Sequence, residues 1–216
     1  MTIIISGDTG VPVSPVTGTL AVANGGTGVT TSTGSGANVL GTSPSISGAV
    51  MTTMASSVIT SGTAVASTSG TSIDFTSIPS WVKRITVMFN GVSTSGSSDI
   101  LIQIGAGSVT TSGYTGSGCS AVLSGVTVAG NNYTSGYGIR AGGSSGAAIV
   151  RQGLCTICLV GSNVWTESGV FSHSNEVGMS WTAGNVTLGG TLDRVRITTV
   201  NGTDTFDAGS INILYE

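Results

Sequence analysis

The sequence predicts an all-β protein: an extended, trimeric N-terminal stalk over residues 1–70, then a C-terminal antiparallel β-sandwich of jelly-roll-like type over residues 71–216. Three observations lead there. No Asp, Glu, Lys or Arg occurs from Thr9 to Ile73. All three tryptophans, all four phenylalanines, all four tyrosines and every basic residue lie beyond that stretch. The runs that follow alternate apolar and polar residues with period two and end in Gly, Ser, Asn or Asp, the signature of half-buried strands.

The first part is written in Gly, Ser, Thr, Ala and Val, as in LAVANGGTGVTTSTGSGANVLGTSPSISG from Leu20 to Gly48. Its glycines oppose helix, and its Val, Ile and Thr favour extended chain. A single copy leaves its backbone groups unpaired and its few apolar residues wet. Disorder ordinarily goes with low hydrophobicity and high net charge, and neither holds here. Three chains wound together, with small residues allowing close approach, are therefore expected.

Bulky side chains supply most core burial, so a core is expected only from about residue 71. In SWVKRITVMFNGV, Trp81, Ile85, Val87 and Phe89 share a face with Lys83, while Arg84, Thr86 and Asn90 take the other. DILIQIG groups Ile100, Ile102 and Ile104; RVRITTV sets Val195 and Ile197 against Arg194 and Arg196; INILY aligns Ile211, Ile213 and Tyr215. Further strands are expected at Ala121–Val128, Ala147–Val160 and Val164–Ser172, with Trp165 and Trp181 in the core.

Composition narrows the function classes. Charged residues make up 7% of the chain, against about 25% in an average soluble protein. The net charge is −3 and the few basic residues are scattered, so the clustered cations that nucleic-acid binding needs are missing. Mean hydropathy is +0.40, yet no window offers the ~18 consecutive apolar residues of a spanning helix. MTIIISGDTG lacks the basic region of a secretory signal, and three cysteines do not suit a disulfide framework. No membrane insertion is expected, and synthesis in a reducing cytoplasm is.

Catalytic patterns are weak. Asp74, Asp99, Glu167, Glu176, Asp193, Asp204, Asp207 and Glu216 show no spacing that marks the carboxylate pair of a glycosidase. Glu167 and Glu176 are expected in solvent, and Asp204 and Asp207 in Asx-type turn bonds. GGSSG at Gly142–Gly146 fits G-x-S-x-G, but the β-like AAIV follows where a helix is required. The lone His173 is expected at the surface or in a loop. The CTIC thiols, Cys155 and Cys158, point to opposite faces if they lie on a strand; with Cys119 they are expected as small buried thiols rather than zinc ligands. Neither metal nor cofactor is expected.

Binding can be carried by loops on a rigid scaffold. SVTTSGYTGSG and AGNNYTSGYGIRAGGSSG hold Tyr114, Asn131, Asn132, Tyr133, Tyr137 and Arg140. Tyrosine rings that stack on sugar faces, beside amides and a guanidinium that bond hydroxyls, would suit a glycan. The competing reading packs the tyrosines against the sandwich edge or a neighbouring subunit.

NGGTGVTTSTGSGANVLGTSPSISG resembles a linker and shaft segment of bacteriophage tail fibre proteins. MTIIISGDTGV resembles the start of many such fibres, which implies that Met1 is the true N-terminus. IPSWVKRITVMFNGVSTSGSSDILIQIG and LDRVRITTVNGTDTFDAGSINILYE are similar to a terminal domain found on phage fibres. The resemblance implies a homotrimeric virion component whose N-terminal segment joins a tail adaptor, nozzle or baseplate protein. Its C-terminal domain would adhere to a host surface polysaccharide or outer-membrane receptor, without enzymatic turnover. A trimerisation knob or tail adaptor is the alternative, and a glycan depolymerase a further one.

Overall fold

The computed structural model describes residues 59–123, 127–140, 147 and 149–216, and the stalk expected before residue 59 lies outside them. All described residues belong to one compact unit, Ala55–Glu216. Its strands are β1 (Thr60–Ser61), β2 (Val65–Ala66), β3 (Ile73–Phe75), β4 (Arg84–Thr94), β5 (Ile100–Ala106), β6 (Ser108–Val109) and β7 (Thr115–Val122). There follow β8 (Thr127–Tyr133), β9 (Tyr137–Ile139), β10 (Arg151–Gly161), β11 (Val164–His173), β12 (Gly178–Thr187), β13 (Arg194–Thr199) and β14 (Phe206–Tyr215). No helix of the described residues is long and apolar enough to cross a membrane.

The strands form two antiparallel sheets. The larger runs β1-β14-β4-β10-β11-β12-β7-β8, with β2 also on β14; the smaller runs β3-β13-β5-β6, with β9 on β5. The chain thus joins the large sheet at Thr60–Ser61, ahead of the boundary expected near residue 71. The predicted alternation of β4, β13 and β14 holds, and Ile100, Ile102 and Ile104 share the core face of β5, whose Leu101 and Gln103 are buried as well. Ile85, Val87 and Phe89 of the large sheet share one core with Ile102, Ile104, Val195 and Ile197 of the small one. Arg196 on the outside of β13 makes two bonds to Asp74 of β3, at 2.7 and 2.8 Å, tying the edge strand down. Arg84 pairs with Glu216 near the chain end.

Three expectations are corrected, and one strand went unanticipated. Trp81 precedes β4, lies in a turn and is exposed, its ring tilted 50° to that of Tyr215 with centroids 5.8 Å apart, instead of joining the core face. The strand expected at Ala121–Val128 is two strands, since β7 ends at Val122 and β8 begins at Thr127 as its antiparallel partner. The strand expected from Ala147 begins at Arg151. Strand β12 was not anticipated, because GMSWTAGNVT is broken up by glycine and small polar residues of low strand propensity.

Local backbone chemistry fixes the joins. Ser162 and Asn163 connect β10 to β11 with φ of 48° and 61°, the double left-handed geometry of a two-residue hairpin turn. On β14, Gly209 has φ 89°, and a Cβ there would lie 2.3 Å from the Gly91 carbonyl oxygen of β4. Only glycine lets the two bulged strands approach this closely.

Candidate functional site

Strands β10, β11, β12, β7 and β8 are neighbours, and every second residue faces away from the core. Near one end of these strands two glycines, Gly116 of β7 and Gly184 of β12, are cross-strand partners. With no Cβ at either, the backbones close up: a Cβ on Gly184 would sit 2.8 Å from the Gly116 Cα. An open groove of about 620 Å³ lies here, lined by outward residues including Thr115, Ser117, Asn132, Thr166 and Asn185.

These side chains are neutral donors and acceptors, partly spoken for by one another. Thr115 donates to Asn185 Oδ1 at 2.7 Å, Ser117 to Asn132 Oδ1 at 2.8 Å, and Thr166 to the Gly184 carbonyl at 3.2 Å. The bonds fix both carboxamides by their oxygens. Neither Nδ2 has a partner among the described residues. Two oriented amide donors therefore face the groove beside three hydroxyls, a set that matches uncharged hydroxyl-bearing ligands.

The six residues singled out from the sequence divide into three places. Asn132 faces the groove, and the buried Tyr114 and Tyr133 also contribute to its lining. Asn131, Tyr133 and Arg140 converge instead on Asp99: Asn131 Nδ2 donates to Oδ2 at 3.2 Å, the Tyr133 hydroxyl donates to the same oxygen at 2.6 Å, and Arg140 Nη1 lies 3.8 Å away. Tyr114 and Tyr137 are in the core, their rings edge-to-face with centroids 5.0 Å apart. The Tyr114 hydroxyl accepts from the Ile104 amide at 2.8 Å, and that of Tyr137 donates to the Trp165 carbonyl at 3.0 Å. Burial pushes the Tyr114 phenol up to about 12 and raises Tyr133 and Tyr137 further.

As platforms for stacking sugars, Tyr114, Tyr133 and Tyr137 are corrected: all three are buried, so their ring faces are already covered. Each sits where its hydroxyl reaches a backbone or carboxylate partner, as buried tyrosines require. Thr115, Ser117, Thr166 and Asn185 went unnoticed. With Trp181 facing outward in the structure, alternation through SWTAGNVT puts Asn185 on the same outer face.

No protein-family model, curated protein or solved structure matches this chain.

Between the sheets the acidic and basic groups also depart from expectation. Glu167 is buried, not solvated, and burial raises its carboxyl to about 8, so it is mainly the neutral acid at pH 7. Its Oε2 accepts from Thr182 at 3.3 Å. His173 is buried as well, its ring nitrogens each 2.8 Å from Glu176 Oε1 and Ser180 Oγ; burial pulls its pKa down while Glu176 opposes the shift. Ser180 in turn donates to the Arg140 carbonyl at 2.8 Å. Arg151 is wholly buried at the start of β10, donating to the Ile149 carbonyl at 3.3 Å, and desolvation lowers it to about 10.

Of the thiols, Cys155 is buried, whereas Cys119 and Cys158 are half-buried on the outer face, a correction to the expectation of three core thiols. Cys155 and Cys158 do point to opposite faces of β10. Asp204 accepts from the Ser98 amide at 3.0 Å and from Asn201 Nδ2 at 2.7 Å, but the Asx turn itself is made by Asn201, whose Oδ1 accepts from the amides of Thr203 and Asp204. Asp207 accepts from the Ser93 hydroxyl across to β4.

Proposed function

We propose that this chain is a homotrimeric bacteriophage tail fibre protein that adheres to the host cell surface without turnover. In this reading residues 1–70 form the tail attachment and the trimeric stalk, joining an adaptor, nozzle or baseplate protein. Residues 71–216 form the jelly-roll-like tip, the virion is the site of action, and a surface glycan is the ligand. The resemblance of the N-terminal and C-terminal segments to phage fibres supports the assignment to a tail. The observation that carries adhesion is the neutral groove in which Asn132 and Asn185 each present an unpartnered amide donor. Such a groove suits the hydroxyls of an uncharged glycan, and a modest single-site affinity would be multiplied by linked copies when geometry allows.

A second reading, a trimerisation knob or tail adaptor with recognition elsewhere, is favoured by the burial of Tyr114, Tyr133 and Tyr137. Binding of the full chain to host cells, in competition with phage adsorption, separates the two. Adsorption that Asn132→Ala with Asn185→Ala abolishes, in a folded protein, supports adhesion through the groove. A folded wild-type chain that neither binds nor competes would move the assignment to the knob. Steady release of reducing ends from host polysaccharide would replace both with an enzyme.

A further inference from the structure

The groove occupies only one end of the outer face. Toward the other end, one rung of the large sheet reads Met88, Leu154, Val170, Trp181 and Cys119 across β4, β10, β11, β12 and β7. Met179 and Val128 extend the band on the next rung, and Leu123 and Val177 adjoin it where the Leu123 amide donates to the Val177 carbonyl at 2.8 Å. Leu123, Val128, Leu154, Val170, Val177, Met179 and Trp181 are each between 41% and 71% exposed.

Together those seven leave an apolar surface on the order of 700 Å², above the ~300–600 Å² of the largest patch on a typical monomer and near the ~800 Å² per partner of a standard interface. No outward position of β7, β8, β10, β11 or β12 carries an Asp, Glu, Lys or Arg. Relief is built in as well. Trp181 stands between two hollows, one of about 420 Å³ lined by Ala121, Leu123, Val128, Val177 and Met179, the other of about 440 Å³ lined by Leu154, Thr156, Ser168 and Val170.

We infer that this band is the contact between copies of the chain in the tip, each Trp181 ridge seating in a hollow of a neighbour. The inference rests on the homotrimeric reading above and assigns its interface. A second copy fits for two reasons. The Trp181 ridge and the flanking hollows are different parts of the band, so the ridge of one copy can meet a hollow of the next head-to-tail, the heterologous contact that closes a ring. A face without charge can oppose its own copy with no like-charge penalty. Flanking hollows let one subunit meet a neighbour on each side, as a three-fold arrangement requires.

The test uses the full chain. Light scattering gives its mass, and iodoacetamide labelling with peptide mapping gives the reactivity of Cys119, which is half-buried within one subunit and lies beside Trp181 on the band. The expected result is a trimer in which Cys119 reacts at least tenfold more slowly than in the Val170→Asp variant, whose thermal midpoint falls. A trimer whose wild-type Cys119 reacts as fast as a model thiol peptide overturns this interface and leaves the trimer standing; that measurement needs no folded variant. Wild-type chains of single-chain mass overturn both. Cys119 protected in the trimer only after host membrane or another tail protein is added assigns the band to that partner and also overturns the inference.

Discussion

The Thr182 hydroxyl of β12 donates to Glu167 Oε2 of β11 at 3.3 Å, inside the sheet pair where the carboxyl has lost its water. Burial raises this acid from 4.5 to about 8. The folded chain therefore holds a proton that the unfolded chain releases, and stability falls as pH rises from about 4.5 to about 8, then levels off. At pH 7 the cost is about 3 kcal/mol. Glu167→Gln keeps an acceptor for Thr182 and removes the ionisation. Denaturant unfolding at pH 5 and pH 8 is expected to show the gap between variant and wild type widening toward pH 8. A constant gap would show that Glu167 is not the titrating group.

Tyr137 and the groove asparagines separate structure from adhesion. Tyr137→Phe strands the buried Trp165 carbonyl, which costs about 1–3 kcal/mol, and leaves host-cell binding by the folded fraction unchanged. Asn132→Ala removes a partner of Ser117 on an exposed face, where losses stay within about 0.5 kcal/mol, while binding falls. Calorimetry beside an adsorption assay reads both effects, and the opposite pattern would discard the groove.

Gly209 faces the Gly91 carbonyl at a distance no Cβ tolerates, with φ in the left-handed region. Gly209→Ala is expected to cost about 2–3 kcal/mol, combining backbone strain with a forced shift of β4 against β14. Urea midpoints measure it, and an unchanged midpoint would contradict the double bulge.

The β10–β11 turn offers the reverse. Ser162 and Asn163 both hold positive φ, so the pair Ser162→Asn with Asn163→Gly installs the residues this turn type favours. A gain of about 0.5–1 kcal/mol is expected in the same urea titration, and a loss would mean that the turn has another geometry.

How far the fold was legible follows from side-chain bulk. Ile100, Ile102 and Ile104, or Val195 and Ile197, declare an inward face because branched apolar residues alternate with polar ones. The same phase was present in β11, where Trp165, Glu167, Phe171 and His173 all fall inward. A carboxylate and an imidazole read as solvent-facing by type, so phase was the better guide than polarity. Trp181 illustrates the converse: it was expected inside for its size, yet it shares the outward phase of Met179 and Ala183. The groove stayed hidden because its floor depends on Gly116 meeting Gly184 across β7 and β12, a register that no local pattern in either strand announces. Asn132 was anticipated as a ligand-facing amide; the aromatic company expected for it had gone to the core and to Asp99.

The outer face of β7, β8 and β10–β12 bears no ionic group. Dissolved salt shortens the reach of charges from about 10 Å at 0.1 M to about 3 Å at 1 M, but it finds nothing there to screen. Contacts made across this face should hold as well in brine as in rainwater.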